Sequence, residues 1–307
     1  MKQNVFSFKW LGILVLFVIL FSGFIVNYQS NYALKTRGQE PAYKVYALEL
    51  PDTLNFATEK VPLSSPDLKE HLDRELLVNT YWQSNMMLML KRANKYFPTI
   101  EKILAEEGVP SDLKYISVIE SGLVNAISPA GAMGFWQIMR ATGREYGLEV
   151  NGNVDERYHL EFSTRVAAKY LKKAKEKFGS WTLAAASYNM GVTGIQRNLN
   201  TQQVDNYFDL KLNGETSRYV FRVLAVKEII ENPMKYGYVF DQSDLYDQVP
   251  LRLHGLDTAI PNLASFAKKM GINYKILKIH NPWLLQNHLN NKSRKYYEIA
   301  IPEIGHY

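Results

Sequence analysis

The chain has 307 residues, 47% of them hydrophobic and 21% charged, which is typical of a globular protein with one main core and some additional length. It has no cysteine, and this excludes disulfides, thiolate metal sites, a cysteine nucleophile and an N-terminal lipid-modified cysteine. The net charge of +6 suits an anionic polymer such as nucleic acid or cell wall, and the six dispersed histidines do not predict a zinc site.

An uncharged apolar segment of 17 residues, 10–26, follows Lys2 and Lys9. This length is at the lower limit for crossing a bilayer, and the positive flank is expected to stay in the cytoplasm. We therefore predict that residues 1–28 are a membrane anchor or signal segment. A cleaved signal peptide and a buried soluble helix are the alternatives, but no clear small-residue cleavage site precedes Asn27.

The next part of the chain changes from an extended to a helical pattern. Residues 29–66 contain four prolines with polar spacers, which predicts an extended linker. From 67 to 107, apolar residues recur every three or four positions, which predicts helices. Pro98 is expected to break or restart the helix there.

A carboxylate then stands at the end of a mostly apolar helix. Ser111 and Asp112 are expected to cap its start, and Gly122 to end it. Glu120 lies in its last turn, where desolvation and the helix dipole both disfavour the charged form. A raised pKa suits a general acid near neutral pH, although a helix-end glutamate that simply reaches water is the alternative.

Further helices are predicted along the rest of the chain. Ser163 or Thr164 is expected to cap a helix that ends at Gly179. A small-residue helix at 181–190 is expected to stop at Gly191 and Gly194.

The last predicted elements are a helix at about 215–230 and a tail with a different pattern of apolar residues. Short apolar pieces there surround a helical stretch at 258–270, which predicts a small C-terminal module over residues 249–307. The helical region 67–235 is the predicted catalytic domain.

Four motifs fall within that helical region: ESG at 120–122, SPAGAMGFWQIM at 128–139, SYNMG at 187–191 and ETSRYV at 215–220. Taken singly, each has a plain structural explanation as a turn, a buried helix or packing. In this order they resemble lytic murein transglycosylases of the soluble-lytic-transglycosylase type, which are related to goose-type lysozyme. The resemblance is nearest to the membrane-bound type D group.

The resemblance implies a mainly α, lysozyme-like fold and a peptidoglycan lytic transglycosylase. Members of the family cleave the β-1,4 bond between N-acetylmuramic acid and N-acetylglucosamine without water, leaving 1,6-anhydro ends, and need no metal or other cofactor. Glu120 matches their single catalytic residue, first acid and then base. The residues that match substrate-binding positions are Ser128, Gln137, Met139, Tyr188, Asn189 and Tyr219. The last of these matches a tyrosine whose hydroxyl points at the catalytic carboxyl in the family.

Other readings of these residues stay open at this point. Asp155 and Arg157 are interpreted as a structural ion pair and Glu215 as a structural carboxylate, although Asp155 or Glu161 could be a second catalytic carboxylate. A hydrolytic muramidase and a non-catalytic peptidoglycan-binding scaffold are the rival functions.

The expected setting follows from the resemblance and from the N-terminal segment. The partners are peptidoglycan glycan strands and, through the N-terminal helix, the inner membrane, with the catalytic domain in the periplasm; nucleic acid is not expected. The C-terminal module is interpreted as a degenerate LysM-like domain, and its glycan binding is a hypothesis. The choice between endo- and exolytic action and the partners in cell-wall complexes are left open.

Overall fold

The computed structural model describes residues 45–306. The predicted membrane segment 1–28 and residues 29–44 of the predicted linker lie outside the described residues. Within the described range, every helix is too short or too polar to cross a lipid bilayer. Residues 48–306 belong to one structural unit, and all contacts below lie within it.

Helices dominate residues 66–231, as predicted. In chain order they are α1 (Pro66–Tyr81), α2 (Gln83–Glu106), α3 (Lys114–Ser121), α4 (Arg140–Glu145), α5 (Leu160–Phe178), α6 (Trp181–Met190), α7 (Val192–Gln202) and α8 (Thr216–Glu231).

Helix α8 is the centre of this domain because it packs against α1, α3 and α6. Its apolar residues are buried nearly all round, as expected of a helix enclosed by others. In α6, fully buried Ala184, Ala185 and Ala186 let neighbouring helices approach closely. Helix α3 ends as predicted at Gly122, whose φ of 61° is the left-handed conformation that glycine adopts without strain.

The predicted helix break at Pro98 is wrong. Helix α2 continues through this residue from Gln83 to Glu106. Phe97, Ile100 and Ile103 are buried on either side of the proline. The burial of that apolar stripe outweighs the backbone hydrogen bond that proline cannot donate.

The linker prediction is also wrong for its last part. A short hairpin, β1 (Asn55–Phe56) with β2 (Glu59–Lys60), lies there. Leu54, Phe56 and Val61 are buried in the same core as the helices. These apolar positions are too few and too irregularly spaced to show as a pattern in the sequence.

The predicted cap of α3 has a different role. Ser111 begins a 3-10 turn, Ser111–Leu113, and neither it nor Asp112 caps that turn or α3 through its side chain. Asp112 instead accepts a hydrogen bond from the backbone amide of Ala57 at 2.8 Å. It therefore ties the hairpin to the start of α3.

Two other helix boundaries differ from prediction. Helix α5 begins at Leu160, and the hydroxyls of Ser163 and Thr164 donate to carbonyls one turn earlier. Gly194 does not end a helix but lies inside α7.

The C-terminal module has its own small core. Strand β3 (Leu251–Leu256) pairs antiparallel with β4 (Tyr297–Pro302). Two short helices, α9 (Leu263–Lys269) and α10 (Tyr274–His280), replace the single helical stretch predicted at 258–270. Val154, far upstream in the chain, is fully buried in this second core.

Candidate active site

Glu120 lies at the end of α3 against the first turns of α8. The hydroxyl of Tyr219 donates a hydrogen bond of 2.6 Å to Glu120 Oε1. Tyr219 is buried, whereas Glu120 is half-buried and still reachable. The structure thus joins the predicted acid to the tyrosine expected to face it.

The surroundings of Glu120 favour its protonated form. Burial raises the pKa of this carboxyl, and the charge of Glu215 raises it further. The hydrogen bond from Tyr219 and the charge of Arg222 act in the opposite direction, but the pKa stays above its ordinary value. Burial and the Glu120 charge hold the Tyr219 pKa well above its own ordinary value, so that the phenol keeps its proton and donates. A carboxyl with a raised pKa suits a general acid.

Arg222 is a site residue that the sequence interpretation missed. Its Nη2 donates to the carbonyl oxygen of Ile119 at 3.1 Å, next to Glu120. The signal was present, because Arg222 follows Tyr219 by three positions and therefore shares its face of α8. Its charge is placed to favour the carboxylate once the proton has left.

Tyr188 and Asn189, in the last turn of α6, close another side of this region. The Tyr188 hydroxyl donates to the carbonyl oxygen of Trp136 at 2.8 Å. Burial first, and then the charge of Glu120, raise the Tyr188 pKa. Asn189 Nδ2 donates to Glu215 at 2.9 Å, which fixes the end of α6 to the start of α8.

Ser128, Gln137 and Met139 lie in a folded segment that we call the substrate loop, residues 126–139. Single β-bridges pair Ile127 with Met133 and Met133 with Ile138. Ser128 Oγ accepts from the Ala132 amide at 3.0 Å, and Met139 is 45% exposed.

Gln137 is turned partly towards its own loop. Its backbone has a left-handed φ of 47°, which is uncommon for a residue other than glycine. Its Nε2 donates to the carbonyl oxygens of Ala126 and Gly134. The amide nitrogen therefore holds the loop together, and the predicted contact of Gln137 with sugar stays a prediction.

The predicted ion pair between Asp155 and Arg157 is confirmed. Arg157 Nη2 lies 2.7 Å from Asp155 Oδ2, and both side chains are buried. Glu215, the other carboxylate interpreted as structural, does position α8 through Asn189, but it also acts on the Glu120 charge.

A separate groove of about 830 Å³ lies between the hairpin and residues 206–209. None of the predicted site residues lines it. The chemistry expected from the sequence is therefore located around Glu120 and not in this groove.

Two parts of the chain are similar to known protein families. Residues 97–209 match the family model of the transglycosylase SLT domain, and residues 254–305 match that of the soluble lytic transglycosylase C-terminal LysM-like domain. Membrane-bound lytic murein transglycosylase D of Escherichia coli, in strain K12 and in strain O6:H1, is 29% identical over 218 residues, or 69% of this chain and 47% of that protein. The chain thus spans about half the length of these curated relatives.

A solved structure of an inactive mutant of lytic transglycosylase Slt from Pseudomonas aeruginosa is 22% identical, with a TM-score of 0.36, over 49% of this chain and 26% of that one. This overlap is too low to carry an argument about the site. The two domain matches confirm the resemblance seen in the motifs: the chain carries a transglycosylase SLT domain and a LysM-like C-terminal domain, and it is similar to lytic transglycosylases.

Proposed function

We propose that this chain is a peptidoglycan lytic transglycosylase that cleaves the bond between N-acetylmuramic acid and N-acetylglucosamine and leaves 1,6-anhydro ends. The observation that carries the proposal is the Glu120–Tyr219 pair, with a 2.6 Å hydrogen bond and a raised Glu120 pKa. One half-buried carboxyl with a raised pKa, still reachable, is what a general acid for a glycosidic oxygen requires.

The proposed reaction uses Glu120 twice. Protonated Glu120 gives its proton to the glycosidic oxygen, the bond from that oxygen to the anomeric carbon breaks, and the bonding electrons leave with the oxygen. The Glu120 carboxylate then takes the proton of the muramic C6 hydroxyl while the C6 oxygen forms a bond to the anomeric carbon. Glu120 regains its proton and no water is consumed. Arg222 and Tyr219 stabilise the intervening carboxylate.

A hydrolytic muramidase is the second candidate because one other carboxylate acts on the site. Glu215 is close enough for its charge to raise the Glu120 pKa. Two carboxylates that flank the bond are the usual requirement for hydrolysis. Asp155, named from the sequence as a possible partner, is committed to Arg157 in a buried ion pair. In the transglycosylase proposal the N-acetyl group of the substrate replaces the second carboxylate.

Mass spectrometry of digested sacculi separates the two candidates. We expect anhydromuramic ends from the wild type and at most traces of muropeptides from Glu120→Gln, because removal of the acid lowers the rate about 10²- to 10⁴-fold. We expect Glu215→Gln to retain anhydro products, at a lower rate because Asn189 then donates to a neutral amide oxygen and the charge that raises the Glu120 pKa is removed. Reducing ends from the wild type would establish hydrolysis, and an unaffected Glu120→Gln would show that the acid is misassigned.

We place the glycan against the substrate loop and the end of α6. In this proposal Ser128 meets the muramic acetamido group, Gln137 and Met139 line the cleft, and Tyr188 and Asn189 close it around the acid. The support is that Tyr188 bonds Trp136 in the loop and that its pKa responds to Glu120. A scaffold without turnover is disfavoured, because such a protein has no need to keep a buried phenol aimed at a carboxyl.

The location of the protein is proposed from its substrate and from the N-terminal segment. Peptidoglycan lies in the periplasm, and residues 10–26 remain the predicted anchor in the inner membrane, with signal cleavage as the alternative. Fractionation of cells, followed by protease treatment of spheroplasts, tests this. A membrane-bound and protease-sensitive chain is expected, and a protected chain would contradict the orientation.

A further inference from the structure

A connected series of hydrogen bonds links the substrate loop to the C-terminal module. We define the docking segment as residues 149–158, which run between α4 and α5. One end of this segment makes hydrogen bonds to the substrate loop, and another part makes hydrogen bonds to the module. The inference rests on the proposed function where it concerns glycan binding, and on geometry alone where it concerns the loop.

The grip on the substrate loop is made by Arg157. Its Nη1 donates to the carbonyl oxygens of Gly131 at 3.0 Å and Ile138 at 3.2 Å. Its Nη2 contacts the sulfur of Met133 at 2.9 Å. The chain also passes so close that a Cβ on Gly134 would lie 2.1 Å from the Arg157 carbonyl oxygen. Arg157 thus holds the loop at both its turns.

The grip is close to the residues proposed to meet the sugar. Gly131 lies in the turn that follows Ser128, and its amide donates to the Ser128 carbonyl at 2.9 Å. Ile138 stands between Gln137 and Met139. A shift of the guanidinium would therefore move these proposed binding residues together.

Arg157 is itself fixed by Asp155. The carboxylate of Asp155 accepts from Nε and Nη2 of Arg157, at 2.9 Å and 2.7 Å, with both side chains buried. A planar guanidinium bound by two nitrogens has one orientation, which a lysine in its place would not keep.

Asp155 is in turn held by the module. Its amide donates to the carbonyl oxygen of Trp283 at 2.9 Å, and Val154 forms a β-bridge with Leu284. The Leu285 amide donates to the carbonyl oxygen of Asn153 at 2.9 Å. The docking segment is therefore joined to the module by backbone hydrogen bonds.

The side chain of Asn153 adds two bonds to this contact. Its Nδ2 donates to the His288 carbonyl at 2.9 Å, and its Oδ1 accepts from the Asn290 amide at 2.7 Å. Both bonds go to the module and neither goes to the substrate loop, so Asn153 is a suitable place to loosen docking from a distance.

We propose that the LysM-like module positions the substrate loop through Asp155 and Arg157, and that Arg157 is a positioning residue for glycan binding. The module then acts on the active site whether or not it binds glycan itself. When the contacts between the docking segment and the module weaken, the hydrogen bonds from Arg157 to the loop weaken as well. The loop then loses the arrangement in which its side chains face the cleft.

Hydrogen exchange read by mass spectrometry on full-length protein tests the coupling without reference to activity. For peptides covering residues 126–139 we expect exchange about tenfold faster in Arg157→Lys and at least about threefold faster in Asn153→Ala. The matched control is Asn273→Ala, which removes the cap of α10 inside the module but leaves docking intact. Its loop exchange should stay within about twofold of the wild type.

Exchange in Asn153→Ala that equals the wild type overturns the proposal, and so does equal acceleration in Asn273→Ala, which would mean general loosening. Asn153→Ala keeps the test decisive if Arg157→Lys does not fold. Kinetics on isolated glycan strands give a second readout: in Arg157→Lys and Asn153→Ala the KM should rise more than kcat falls, and in Asn273→Ala neither should change. If the variants exchange as expected but the wild type cleaves no glycan, the proposed function is refuted and the coupling between module and loop is still supported.

Discussion

Tyr219 tunes the protonation of Glu120 through one hydrogen bond. The bond favours the charged carboxylate, so it lowers the Glu120 pKa and opposes burial, which raises it. We therefore expect Tyr219→Phe to raise that pKa further. Since the proposed acid must be protonated, the limb on which kcat/KM falls with rising pH should move to higher pH. A pH–rate profile on glycan strands measures the shift.

The matched control for this variant is Tyr207→Phe. Tyr207 is also buried, and its hydroxyl donates to the carbonyls of Thr216 and Ser217 in α8, the helix that contains Tyr219. It should leave the pH profile where it is. A profile that does not move in Tyr219→Phe would show that the phenol does not tune the acid.

His159 makes stability depend on pH. Its Nδ1 is buried without a hydrogen-bond partner, and burial lowers its pKa from 6.5 to about 4. The unfolded chain therefore binds a proton more readily than the folded one below pH 6.5. We expect His159 to remove up to about 3 kcal/mol of unfolding free energy as the pH falls from 6.5 to 4.

Urea unfolding at a series of pH values isolates this contribution. His159→Phe keeps a ring for the stack with Phe162, which has a centroid separation of 4.1 Å, but it cannot bind a proton. Its stability should fall less between pH 6.5 and pH 4 than that of the wild type, whereas exposed His306→Phe should behave as the wild type does. Parallel curves for wild type and His159→Phe would contradict the prediction.

At the same scale, the sequence predicted some site contacts but not others. The pairing of Glu120 with Tyr219 was accessible because both belong to motifs with a known order. The inward turn of Gln137 was not, because it follows from a left-handed backbone angle that spacing does not reveal. The ion pair of Asp155 with Arg157 was predicted, but the reach of Arg157 into the substrate loop depends on how distant segments fold together.

At the scale of elements, Glu59 connects the hairpin to α6. Its carboxylate accepts from the amides of Trp181 and Thr182, at 2.5 Å and 2.9 Å, and from the hydroxyls of Ser180 and Thr182. Burial alone would raise its pKa, but these bonds outweigh burial and the pKa is lowered. A carboxylate at the start of a helix also interacts favourably with the helix dipole.

We expect Glu59→Gln to lower the unfolding free energy by about 1–2 kcal/mol at neutral pH. Because the folded pKa is lowered, this difference is fully present above the ordinary value of 4.5 and shrinks as the pH falls through the folded pKa. Denaturant titrations at neutral and acidic pH measure it. Glu49→Gln, at an exposed position, should change neither; a Glu59→Gln effect independent of pH would mean that the charge is not involved.

Element boundaries were predictable where local signals and packing agree. Gly122 ends α3 and Gly179 ends α5, both with left-handed φ, as the glycines indicated. The predictions failed at Pro98 and Gly194, where burial keeps a helix going through a residue that disfavours it. The hairpin was missed because its apolar residues gain their partners only from helices far along the chain.

At the scale of the whole molecule, residues 48–306 should unfold together. Val154 of the docking segment is buried in the core of the C-terminal module. The docking segment also makes hydrogen bonds to the module and to the helical domain. We expect a single calorimetric transition, and Asn273→Ala, although it lies in the module, should lower that one transition by about 2–4 °C. Two resolved peaks, with only one of them shifted by the variant, would contradict this.

The burial of Val154 in the C-terminal core has a consequence for how such chains can be recombined. The residues that complete this core are not contiguous: one belongs to a loop that precedes α5, and the rest follow α8. A crossover placed between α8 and β3 would join a new tail to an old loop and leave its hydrophobic surface mismatched. Exchange of tails among relatives therefore requires the loop to change in step with them, although the two are encoded far apart.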